Sequence, residues 1–164
     1  MKKWILIVLT AAVICAFGWV VSNRPKTVGK AVKEGDFKEF YYTYSTTVNP
    51  PEFQRYRIYI DENGRRMFYH EKREGDRVFL TEEDITVAGE RELTSEEWDT
   101  FWNCISGGVV VNRRESVTSG GAGPWLYLYW KGDKDKCQVF TFGERENLYE
   151  FEEFCKGLKE SMQK

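Results

Sequence analysis

Trp125-Leu126-Tyr127-Leu128-Tyr129-Trp130, then a polar stretch from Lys131 to Lys136, then Cys137-Gln138-Val139-Phe140-Thr141-Phe142: this segment decides the fold. Both flanks are rich in aromatic and β-branched residues, and the short polar link between them predicts an antiparallel hairpin. Folding it with Trp130 opposite Cys137 puts Leu126, Leu128 and Trp130 on one face, and Trp125, Tyr127 and Tyr129 on the other. The leucine face asks to be covered by helices, and the tyrosine face then needs its own explanation.

The covering helices lie on either side of the hairpin. Downstream, from about Asn147, the residues Leu148, Phe151, Cys155, Leu158 and Met162 recur on one helical face, flanked by Phe154. Glu144, Glu146 and Glu150 cluster at its start and Lys156 and Lys159 near its end, which complements the helix dipole. Upstream, Thr94-Ser95-Glu96-Glu97 has the form of a capping box, and Trp98, Phe101, Trp102 and Ile105 follow as an apolar stripe. Gly107-Gly108 ends that helix and opens a long connection over residues 107–124, with a short strand expected at Val109 to Val111.

Before the first helix the pattern is strand-like. Phe40 to Thr47 alternates and is stopped by Asn49-Pro50-Pro51, because proline cannot donate to a ladder. Arg55 to Ile60 alternates again, with Tyr56, Ile58 and Ile60 inward, and Asp61-Glu62-Asn63-Gly64 turns it into Arg65 to Lys72. Glu74-Gly75-Asp76 leads into a run from Arg77 to Leu80, with a further short strand around Ile85 to Val87. The expected fold is α+β: an antiparallel sheet of about five to seven strands, with two amphipathic helices packed on one face.

Residues Trp4 to Val21 form an apolar run behind Lys2 and Lys3, interrupted only by Thr10 and Gly18. Eighteen helical residues would span about 27 Å, near the minimum for a bilayer core. The expectation is a transmembrane or signal helix over residues 1–22, a linker over 23–36 and one domain over 37–164. An uncleaved anchor is favoured over a cleaved signal, since the run reaches spanning length. The Lys-Lys start suits export, so the body is placed outside a bacterial-style cell membrane, or secreted if the segment is cleaved. Arg24, Lys26, Lys30 and Lys33 after the run pull the other way under the positive-inside rule.

Residues 1–33 hold six of the 24 basic residues and no acid, which leaves 18 basic and 26 acidic residues, a net of −8, in the remainder. An acidic body argues against nucleic acid as a partner, because phosphate binding needs a basic face. The basic collar beside the apolar run fits an anionic membrane surface.

No catalytic, metal or nucleotide motif emerges, and no cofactor is expected. His70 is the only histidine and is read as a partly exposed strand residue. Ser119-Gly120-Gly121-Ala122-Gly123 resembles a phosphate loop in composition alone, because it precedes Pro124 and a strand rather than a helix. The hairpin register directs Cys137 toward the core, where Cys155 on the last helix also points, so a Cys137–Cys155 disulfide is expected as one alternative and two separate buried thiols as the other.

What remains is the tyrosine face. Trp125, Tyr127 and Tyr129, with Tyr41 and Tyr59 from the neighbouring strands, form a candidate surface for a protein, peptide or glycan ligand. Two other functions stay open: an extracytoplasmic enzyme with a site near residues 107–124, where Arg113, Arg114 and Glu115 are polar, and a structural part of an envelope complex.

Overall fold

The computed structural model describes residues 24–46, 51–77, 80–113, 125–130 and 137–162, with Thr10, Val13 and Cys15, and gives backbone only at 112, 113, 125, 126, 130 and 137. It is an α+β fold. Eight strands form a single antiparallel sheet: β1 (Lys26–Thr27), β2 (Phe37–Ser45), β3 (Phe53–Ile60), β4 (Arg66–Arg73), β5 (Ile85–Glu92), β6 (Val109–Arg113), β7 (Trp125–Trp130) and β8 (Cys137–Thr141). Their spatial order is β1-β6-β8-β7-β2-β3-β4-β5, so β7 and β2 sit side by side at the centre. Helices α1 (Ser95–Ile105) and α2 (Arg145–Ser161) supply Trp98, Phe101, Ile105, Phe151, Cys155 and Leu158 to the core.

Strand alternation explains where the core lies. Phe40 and Tyr42 of β2, Ile58 of β3, Phe68 of β4, Leu128 of β7 and Phe140 of β8 are all buried. Their rings meet the helices edge-on: Phe40 lies 5.6 Å from Phe101 and 5.2 Å from Phe151, between ring centres. The intervening residues of β2, β3 and β7 belong to the opposite face, as the hairpin pattern predicts.

Local signals act as read. The Thr94 hydroxyl accepts from the Glu97 amide at 3.2 Å, and the Thr94 amide donates to Glu97 Oε2 at 2.9 Å, which closes the capping box. Asp61 Oδ1 accepts from the amides of Asn63 and Arg65 at 2.9 and 2.8 Å, and Gly64 takes φ +80° to complete the β3–β4 turn. That carboxylate is committed to its turn.

Four expectations change. The sheet has eight strands, more than five to seven, because the two-residue β1 carries too little hydrophobic periodicity to read as a strand; the polar edge strand β5 runs to Glu92, past the short strand expected at Ile85 to Val87. The described ends of the run Arg77 to Leu80 are not in a strand, and residues 78 and 79 lie outside the described residues: Arg77 pairs with Asp84 at 2.7 Å, beside a one-turn helix over Glu82–Asp84, and a strand begins at Ile85. The stretch read as a linker belongs to the body. Val28 and Val32 are 1% and 0% exposed, and Glu34 accepts from the Trp98 indole at 2.5 Å, pinning α1 to the segment before β2. The last hairpin is shifted by one residue. Tyr127 pairs with Val139, which sets Tyr129, not Trp130, across from Cys137. Cys155 is a buried free thiol, as in the alternative of separate thiols, and the Cys137 side chain lies outside the described residues.

The apolar run 4–21 falls outside the described residues except for Thr10, Val13 and Cys15, which are helical and exposed. Among the described residues no helix is long and apolar enough to cross a membrane.

Candidate functional site

The site is built on the sheet face away from the helices, by the odd-numbered positions of β2 and β3 and their neighbours in β7. Cross-strand register brings them together: Tyr41 pairs with Arg57 on one side and Tyr127 on the other, and Thr43 pairs with Arg55 and Trp125. The result is a groove of about 400 Å³ lined by Glu39, Tyr41, Thr43, Arg55, Arg57, Tyr127 and Tyr129.

Three of the five predicted aromatic residues therefore meet in one place. Tyr41 meets Tyr129 edge-on at 6.0 Å, and Tyr127 stacks on Tyr129 at 6.4 Å. Tyr59 stands outside the groove, tied to it through Arg57, whose guanidinium lies 4.0 Å from the Tyr59 ring centre; its hydroxyl donates to Glu90 at 2.8 Å. Trp125 reaches the groove by backbone pairing with Thr43, and its side chain lies outside the described residues.

Sequence reading had missed the charged half of this face. Arg57 pairs with Glu39, which is only 6% exposed. Glu71 on β4 is 4% exposed and accepts from Arg73 Nε and Nη2 through one oxygen, at 2.9 and 2.6 Å, and from the Tyr69 hydroxyl at 2.7 Å through the other. Arg55 lies over the rings of Tyr41 and Phe53 at 5.9 and 5.2 Å, and its ion pair to Glu71 is long, at 3.6 Å. The signal was present in β3: once Tyr56, Ile58 and Ile60 point inward, Arg55 and Arg57 must share the tyrosine face.

Electrostatics fixes the protonation of these groups. Burial, followed by a hydrogen bond to Glu39, pushes the Tyr41 phenol well above its usual range. Burial and the hydrogen bond to Glu71 raise Tyr69 to about 12. Burial pulls on the Arg57 guanidinium, but the hydrogen bond to Glu39 and the nearby tyrosines leave its pKa raised overall. At neutral pH the groove therefore presents phenolic and guanidinium donors, a set suited to holding acceptor-rich groups.

His70 and the described cysteines lie apart from this groove. His70 is buried on the helix side of β4, at 2% exposure, and not partly exposed as its strand position suggested. Its ring packs 4.8 Å from that of Tyr56, with Nε2 3.3 Å from Gln54 Oε1. Cys104 is buried, and burial raises both its thiol and that of Cys155, so neither has the lowered pKa of a nucleophile. Residues 114–124, the proposed surroundings of an enzymatic site, lie outside the described residues. Among the described residues, no group of three or more His, Cys, Asp or Glu is placed to hold a metal ion. Comparison with family models, curated proteins and solved structures finds no match to this chain.

Proposed function

We propose that this chain is a binding or accessory module held at the outer side of a cell membrane by residues 4–21, and that its ligand lies in the groove formed by Tyr41, Tyr127 and Tyr129. The observation that carries the reading is the convergence of three aromatic rings and two arginines, from three neighbouring strands, on the side of the sheet that the helices leave uncovered. Tyrosine rings with protonated hydroxyls offer flat apolar faces and polar tips, which suit a sugar ring or a short peptide. Tyr59 extends the surface at its margin, and Trp125 joins it through backbone pairing with Thr43.

The raised pKa values of the Tyr41 phenol and the Arg57 guanidinium favour binding over proton-transfer chemistry, because such groups donate hydrogen bonds without exchanging protons near neutral pH. The test is retention of the full chain on immobilised glycan and peptide arrays, compared with the Tyr127→Ala/Tyr129→Ala variant. The reading expects a defined ligand class whose binding falls at least about tenfold in the variant, as loss of central aromatic contacts does elsewhere. Equal retention of both proteins across the arrays would remove the groove as the site.

A further inference from the structure

We propose that the groove takes an oxyanion-bearing small ligand, a carboxylate or a phosphate, and that Arg55 is its anchor. The inference rests on the binding face described above and adds its charge preference. Arg57 is paired with Glu39. Glu71 accepts from Arg73 through one oxygen and from Tyr69 through the other. Among the described residues Arg55 is left with one long ion pair, 3.6 Å from Nη1 to Glu71 Oε1, and its buried Nε has no hydrogen-bond partner.

A guanidinium has five donors in a planar fork, and a buried donor without an acceptor is costly. The rings of Tyr41 and Phe53 hold Arg55 through their faces, at 5.9 and 5.2 Å, and leave its in-plane donors unserved. Within the groove lining, Arg55 and Arg57 face one carboxylate, Glu39, an excess of one positive charge. Adding Arg73 and Glu71 next to it preserves that excess. In a chain whose body is acidic overall, a positive groove beside tyrosine donors complements a planar or tetrahedral oxyanion. The partly exposed Arg55 side chain, at 32%, leaves room for approach.

The test follows the Arg55 Nε–H and the tyrosine ring resonances of the full chain in detergent micelles by NMR. Sodium acetate, inorganic phosphate and a neutral disaccharide are titrated separately, with chloride holding ionic strength constant. The expected result is a saturable shift of the Arg55 Nε–H and of the tyrosine rings with acetate or phosphate; in Arg55→Lys, which keeps the charge and stem but loses the fork, the ring shifts report binding about tenfold weaker. The stronger of the two anions identifies the ligand group as carboxylate or phosphate. An Arg55 signal that moves no more than with chloride, or an Arg55→Lys variant that is folded by its spectrum and binds as well as the parent, overturns the proposal. In that event, ring shifts with the neutral disaccharide would keep the binding face and discard only its charge preference. Unmoved rings with all three probes would discard both.

Discussion

Burial keeps the His70 imidazole neutral. Desolvation, then the charge of Lys159, lowers its pKa to about 4 from 6.5, against a smaller opposing pull from Glu71. Between those two values the unfolded chain binds a proton that the folded chain refuses, so stability is full above about pH 6.5 and falls as pH drops toward 4. This lowering corresponds to at most about 3–4 kcal/mol. Urea unfolding of wild type and His70→Asn across that window should show the wild type losing its advantage as pH falls; parallel curves would contradict a neutral buried His70. Strand alternation puts it on the helix side with Phe68, and its depth comes from Tyr56 and Gln54 on the adjacent strand, a relation that periodicity along β4 does not encode. Arg55 is the reverse case, placed by its strand phase, with its lack of partners visible only once Glu71 is seen to be occupied by Arg73 and Tyr69.

The elements with strong local chemistry were readable. The capping box and the Trp98-Phe101-Trp102-Ile105 stripe define α1, and the alternation of Tyr127, Leu128 and Tyr129 defines the two faces of β7. The hairpin register was not readable, because a six-residue link from Lys131 to Lys136 does not impose a pairing as a two-residue turn does. The junction from α1 to β6 is also tighter than its Gly-Gly sequence suggests. A Cβ at Gly108 would sit 2.3 Å from Phe140 Cζ, inside the core, and 3.0 Å from the Ile105 carbonyl. Gly108→Ala should therefore cost about 1–3 kcal/mol by overpacking, whereas Gly157→Ala inside α2, with open space around it, should stabilise by about 0.5–1 kcal/mol. Equal unfolding midpoints for the two variants would show that Phe140 yields freely.

At the scale of the molecule, the α+β class and the helix-covered face followed from the pattern, but the domain boundary did not. Residues 23–36 look like a linker because they are polar and contain Pro25, Gly29 and Gly35, yet β1 pairs with β6, and Val28 and Val32 fill the core. A chain starting at residue 37 should lose cooperative unfolding or aggregate, while one starting at residue 24 keeps the complete core; identical melting of the two would reverse that assignment. The functional face poses the larger question, whether its tyrosines serve the fold or a ligand. The measurement that bears on it most directly is the unfolding free energy of Tyr127→Ala/Tyr129→Ala. Half-buried cross-strand rings contribute roughly 0.2–1 kcal/mol per pair, so the account predicts a total loss below about 2 kcal/mol, with the cooperative transition retained. A loss near that of two buried aromatics, about 3–5 kcal/mol each, or a chain that no longer folds, would make this face a second core and contradict its role as a binding surface.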